Sequence, residues 1–271
     1  MATPRADTYS IASGADLWAG IDPPNARISM WGQSNAVGAA LRTGIAAAPL
    51  SSDAELQDYD DATLPFSRVK FWNGSSYATL VPGSNSGASA TEFGPEFGFA
   101  VEWMRRTTSG VLYLDKNAAG GISITSFEPD VGARWTTGVT ERGQQDAWLA
   151  SNGVSIDSSR DFWFWSQGEA DYIQNQAWYE PKMQELVDAL IVEGILPSKA
   201  VLTDIPSGSG RYNTGISAAK QAVADGSGGN IIKLVEPNYF EADNLHLNAR
   251  GQVQRSYDAY AFLFDVSAST T

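Results

Sequence analysis

Short apolar runs bounded by Gly, Ser and Asp alternate along this chain with longer segments whose apolar residues recur every three or four positions. The runs "ARISMW" (26–31), "GVLYLD" (110–115), "DFWFW" (161–165), "AVLTDI" (200–205) and "IIKLVE" (231–236) have the length and composition of strands. Helical segments lie between them. "PEFGFAVEWMRR" (95–106) opens on Pro95, which suits a first helical turn. "ERGQQDAWLAS" (141–151) and "SAAKQAVAD" (217–225) also read as helices. The clearest helix spans about 175–194, where Met183, Leu186, Val187, Leu190 and Ile191 fall at i, i+3, i+4, i+7 and i+8. Gly194 suits its C-terminal end. A last helix over 249–264 places Val253, Tyr257, Tyr260, Ala261 and Phe264 on one face. The region 38–90 is rich in Ser, Asp and Gly, and within it "RVKFWNGSSYATLV" (68–81) predicts a β-hairpin turning near Asn73-Gly74.

Strands alternating with helices predict an α/β protein: a three-layer α/β/α sandwich around a mostly parallel, five-stranded sheet, with a small inserted hairpin. No internal repeat and no second strand–helix series is visible, so 26–271 reads as one domain behind a polar arm at 1–25. In such sheets ligands bind outside the carboxyl ends of the strands.

Composition narrows the chemistry. A formal charge of −13 repels phosphate backbones and argues against nucleic acid as a partner. No apolar run reaches the ~18 residues of a membrane span. "MATPRADTYSIASGADLWAG" lacks the continuous apolar segment of a secretory signal, which leaves the cytoplasm or a virion as expected locations. With 0 Cys there are no disulfides, thiol nucleophiles or thiolate-bound metals, and with 1 His no His-rich metal site is expected within the chain. No cofactor is predicted. The 31 acidic residues leave an all-oxygen calcium site open.

Familiar catalytic loops are missing. There is no Gly-x-Ser-x-Gly elbow, and "GSNSG" (83–87) fails because its centre is Asn85. There is no P-loop, and "GSGRYNTG" (208–215) has the wrong spacing for a dinucleotide loop. Four other segments each follow a predicted strand: "GQSN" (32–35), "GGISI" (120–124), "SQGEAD" (166–171) and "DNLHLNARG" (243–251). A doubly wound sheet would gather them at one rim. Ser34 needs a base to become a nucleophile, and His246 is the only histidine available. Asp243, three residues earlier, would orient its imidazole and stabilise the imidazolium. The backbone N–H groups of Ser34 and Gly121 and the side-chain amide of Gln167 are candidate oxyanion donors.

These segments resemble the SGNH hydrolase superfamily, and within it the sialate O-acetylesterase-like carbohydrate acetylesterases. Gly-Gln-Ser-Asn at 32–35, "GGISI", "WSQGEAD" (165–171) and "DNLH" (243–246) occur in the family's order across about 26–265. The resemblance implies a flavodoxin-like fold and a serine esterase that removes O-acetyl groups from a carbohydrate through an acyl-enzyme, with Ser34, Asp243 and His246 as the triad. Ser166 stands where many relatives have His, and Phe127 follows "GGISI" where the family usually has Trp.

Plainer readings compete residue by residue. Ser34 could be a helix N-cap, His246 a hydrogen-bonded turn residue, Gln167 and Glu169 loop anchors, and Gly120 and Gly121 parts of a tight turn. Two other function classes also stay open at this level. One is a glycan-binding module, such as a phage tail or receptor-binding component attached to a virion or oligomer through the N-terminal arm. The other is a glycosidase using Glu169 and Asp171. The residues that would bind the substrate are not identified by the sequence.

Overall fold

The computed structural model describes residues 24–44, 66–235 and 238–265; most of the polar arm lies outside this set. Strand β1 (Ala26–Gly32) is buried along its whole length, as a central strand covered on both faces must be. It pairs in parallel with β6 (Leu112–Ala118) on one side and β7 (Asp161–Ser166) on the other. Strands β8 (Lys199–Thr203) and β9 (Ile231–Leu234) extend the sheet beyond β7. On the other side β3 (Phe66–Trp72) pairs in parallel with β6, and β4 (Tyr77–Leu80) folds back antiparallel on β3. The order is β4-β3-β6-β1-β7-β8-β9, seven strands among the described residues. The five expected strands are present, but the sheet is wider than five. The hairpin at 68–81 is part of the main sheet, its turn at Asn73 and Gly74 (φ 94°). A separate two-stranded ribbon pairs β2 (Ala40–Leu41) with β5 (Glu92–Phe93).

Alternation along the strands assigns the layers. Ile28, Met30, Phe162, Phe164 and Val201 pack with Phe99 and Trp103 of α2 (Pro95–Arg106) and with Ala259, Tyr260 and Leu263 of α6 (Ala249–Leu263). Trp31, Trp163, Trp165 and Leu202 face the other layer. There they meet Trp135 of α3 (Ala133–Ser151), Tyr179, Met183, Leu186 and Leu190 of α4 (Gln176–Val192), and Ile216, Ala219 and Val223 of α5 (Thr214–Gly226). Each buried Val, Leu, Ile, Phe or Met among them contributes roughly 1.5–3 kcal/mol by leaving water. Ile191, placed by the periodicity on the apolar face of α4, is instead 55% exposed, and Leu190 takes the buried position. Helix α3 begins well before the predicted 141 because Trp135 and Gly138 pack on Trp31; a Cβ on Gly138 would come within 2.3 Å of that indole.

At the carboxyl ends of the strands, asparagines start the helices. Asn175 accepts from Trp178 N, Asn213 from Gly215 N and Ile216 N, and Asn248 from Gly251 N. Strand order runs outward in both directions from β1, so the crevice between the exits of β1, β6 and β7 is the switch point of the fold. No helix of the described residues is long and apolar enough to cross a membrane.

Candidate active site

Gly32 ends β1 at φ 144°, and a Cβ there would meet Ser166 O at 2.0 Å. Only glycine lets β1 and β7 approach this closely before the chain turns. Gln33 follows, fixed by its backbone N–H to Ser166 O (2.9 Å) and by its side-chain oxygen accepting from Ala170 N (3.2 Å). It is Gln33 that occupies the cap position of the short turn α1 (Ser34–Val37), with no side-chain cap bond. Ser34 is the first residue inside that turn. Its hydroxyl is therefore not a helix cap, and its backbone N–H belongs to the donors that a first turn leaves without an intrahelical acceptor. Ser34 is partly exposed while Gln33, Asn35 and Ala36 are buried.

The loop after β6 passes beside this turn. Ala119 N donates to Gly32 O (3.2 Å), and a Cβ on Gly120 would sit 3.9 Å from Ser34 Cβ. Gly121 adopts φ 68° with open space around its missing side chain. The loop then enters a 3-10 turn at Ile124–Phe127. Phe127 is buried edge-on against Trp165 (4.9 Å between rings). Asp171 holds the loop's shape by accepting from Ile124 N at 2.8 Å.

Gln167 has a different part from the one expected. Its amide nitrogen donates to Ile122 O (3.1 Å) and to Asp171 Oδ2 (2.6 Å), and its oxygen accepts from Tyr179 Oη (2.7 Å). Both amide hydrogens are committed, so none is left for an oxyanion; the side chain braces the loops after β6 and β7. The paired-carboxylate reading fails similarly. Glu169 and Asp171 are 5% and 3% exposed, and each is tied to a protein donor: Glu169 to Asn35 and Asp171 to Gln167 and Ile124. Ser166, at the end of β7, accepts from Arg255 Nη1 of α6 at 3.0 Å.

His246 and Asp243 lie on a tight loop ahead of α6. Asp243 Oδ1 accepts from Leu245 N (2.8 Å) and His246 N (2.9 Å), while Oδ2 is 2.6 Å from His246 Nδ1. Nδ1–H donating to Asp243 leaves Nε2 as the basic nitrogen. Partial burial pushes the Asp243 carboxyl upward, but the backbone donors of His246 and Leu245, joined by the imidazole, outweigh it and hold the pKa below its ordinary value. His246 keeps 24% of its side-chain surface exposed, enough to be reached from the rim.

Asn35 connects the two halves, and no role was assigned to it from the sequence. Its amide nitrogen donates to Glu169 Oε1 (2.7 Å) and Leu245 O (3.3 Å), and its oxygen accepts from Leu247 N (3.0 Å). One side chain, next to Ser34, thus grips the residues on both sides of His246. The only signal in the sequence was its place in "GQSN".

Relatives agree with this architecture. The family model for carbohydrate esterase, sialic acid-specific acetylesterase, matches residues 28–260. Among solved structures, a protein from Arabidopsis thaliana superposes with a TM-score of 0.66 at 22% identity, covering 90% of this chain and 99% of its own. NanS gives 0.56 at 13% identity, covering 90% of this chain and 98% of its own. A carbohydrate acetylesterase from Xanthomonas citri gives 0.55 at 10% identity, covering 89% of this chain and 57% of its own. At these identities the superpositions speak for the fold. No protein of curated function matches the sequence. With the family model spanning most of the chain, the protein belongs to the carbohydrate esterase family of sialic acid-specific acetylesterases and is a carboxylic ester hydrolase.

Proposed function

We propose that the protein removes O-acetyl groups from a carbohydrate by a metal-independent serine mechanism. Ser34 attacks the ester carbonyl while His246 Nε2 takes its proton. His246 then returns that proton to the departing sugar oxygen, leaving an acetyl group on Ser34. Water attacks this acyl-enzyme with the same imidazole as base, releasing acetate and restoring the serine. Asp243 keeps the imidazole in the tautomer this cycle needs. The backbone N–H groups of Ser34 and Gly121 are the oxyanion donors in this reading, without Gln167.

The observation that carries the reading is the Asn35 clasp, which fixes the residues flanking His246 to the residue after Ser34. A phosphonate that reacts with activated serines should label Ser34, and Ser34→Ala should lower turnover of a small chromogenic acetate by on the order of 10⁴-fold with the fold intact. Labelling at another residue, or an active Ser34→Ala protein, would remove Ser34 from the mechanism.

A further inference from the structure

The turn α1 is four residues long, so its last carbonyls have no further helical turn to supply them with donors. Ser34 O is met by Gly38 N at 2.9 Å, where the chain leaves the helix at φ 102°. Asn35 O and Val37 O are met by cationic side chains from two other elements. Lys116 of β6 donates to Val37 O at 2.6 Å, and Arg255 of α6 donates to Asn35 O through Nη2. Charged donors make the stronger class of hydrogen bond, and both side chains are buried, which keeps water from competing.

Arg255 reaches further than this one carbonyl. Its guanidinium lies over the Phe164 ring at 5.4 Å from the centroid. Nη1 donates to Ser166 Oγ (3.0 Å) at the end of β7, and Nη2 also donates to Gln252 Oε1 (2.5 Å), one turn earlier on α6. Gln252 Nε2 approaches Asn35 O as well, at 3.4 Å. One rigid fork thus joins α6, the end of β7 and the turn that carries Ser34. Helix α6 starts just after His246, with Asn248 as its cap. Residue 35 is therefore tied to this part of the chain twice. Its side chain holds Leu245 O and Leu247 N on either side of His246, and its main-chain oxygen is held by the helix that follows.

We propose that Arg255 is a positioning residue for ester hydrolysis: by fixing the Asn35 carbonyl to α6 and β7, it sets where Ser34 stands relative to His246. It acts through residue 35 and touches neither the substrate nor the reacting atoms. The proposal rests on the Ser34–His246 reading and deepens it. Lys at this position would keep the charge, but a point charge on a flexible stem cannot hold three acceptors in a fixed relation as a planar guanidinium does.

The test uses Arg255→Lys, with 4-nitrophenyl acetate as substrate. We expect kcat per folded molecule to fall by about 10²-fold while KM changes less than about threefold, because geometry at the reacting atoms is lost and binding is not. Ser166→Ala, which removes only the acceptor on β7, should fold even where Arg255→Lys does not, and should lower kcat in the same way by about three- to tenfold. Asp161→Asn, at the opposite end of β7, controls for lost stability and should leave kcat per folded molecule unchanged. In a double-mutant cycle, Asn35→Ala and Arg255→Lys together should cost well under the product of their separate effects, since both release the same residue. A further arm needs no turnover. Amide exchange followed by NMR should show Leu247 N–H, the donor to Asn35 Oδ1, exchanging about tenfold faster in Arg255→Lys or Ser166→Ala, with Ile28 and Met30 of β1 unchanged. If wild-type protein hydrolyses no ester but this exchange responds, the esterase reading fails and the clamp stands. Leu247 exchange and kcat both at wild-type values, separate effects that simply multiply, or an equal fall in kcat for Asp161→Asn would overturn the proposal.

Discussion

A single buried amide, that of Asn35, fastens the turn carrying Ser34 to the loop carrying His246. Asn35→Ala removes all three of its side-chain bonds and strands Leu247 N–H and the Glu169 carboxylate in a dry setting. We expect a loss of about 2 kcal/mol in urea unfolding and, because an ångström of misplacement weakens proton transfer, a fall in kcat of about 10²-fold with a smaller change in KM. Wild-type kcat in this variant would show that the loop is set by its backbone alone. A second expectation concerns pH. Asp243 has a folded pKa below its ordinary value, so the stability it contributes is present above that value and is lost only as pH falls through the lower, folded one. Through the acid limb of activity Asp243 therefore stays ionised, and the limb should follow one ionisation, that of His246. With 1 His in the chain, a single imidazole signal titrated by NMR must match the limb of the kcat/KM profile. Asp243→Asn should cost on the order of 10²- to 10⁴-fold in turnover. A midpoint that disagrees with the rate profile would detach His246 from the base step.

Among elements, the strands were legible because each is a short apolar run between breakers, and their parallel arrangement because helices separate them. What local pattern could not show was pairing at a distance. Nothing within "RVKFWNGSSYATLV" says that its first half will lie beside β6, since that depends on Val69, Lys70 and Phe71 meeting Leu112, Tyr113 and Leu114 far along the chain. The early start of α3 was hidden for a related reason. Thr136, Thr137 and Gly138 are weak helix formers, and packing of that turn on Trp31 overrides their propensity. The same helix brings Arg142 beneath the sheet. There Asp161, at the start of β7, receives Arg27 Nη2 at 2.5 Å and Nε at 3.1 Å from β1, and also pairs with the Arg142 guanidinium. Asp161 and both arginines are nearly fully buried. Asp161→Asn leaves two guanidinium groups without their carboxylate, and should cost about 3–5 kcal/mol in urea unfolding, with kcat unchanged in the molecules that remain folded. A cost below about 1 kcal/mol would mean that Asp146, which also contacts Arg27, compensates alone.

Across the whole molecule, four short segments scattered through the chain end at one rim because the strands before them run parallel and the sheet changes direction at β1. That convergence could be read from order alone, since every segment follows a strand. Their division of labour could not, because an amide such as Gln167 looks the same in sequence whether it points at a ligand or at Ile122 and Asp171. The reading of the rim as a serine–histidine centre has one consequence for the molecule as a whole. Its chemistry draws on a hydroxyl, an imidazole, a carboxylate and backbone donors, and a chain with 1 His and 0 Cys offers no nitrogen- or sulfur-rich set to hold a transition metal. Prolonged dialysis against EDTA should therefore leave kcat and KM for a small acetate ester unchanged. The 31 acidic residues still permit calcium bound for stability, so thermal unfolding is followed in the same samples. A fall in Tm with kcat per folded molecule preserved would assign any ion a structural part. Loss of kcat at constant fold, restored by a divalent cation, would mean that the ion sits in the reaction, and the metal-independent mechanism would be abandoned.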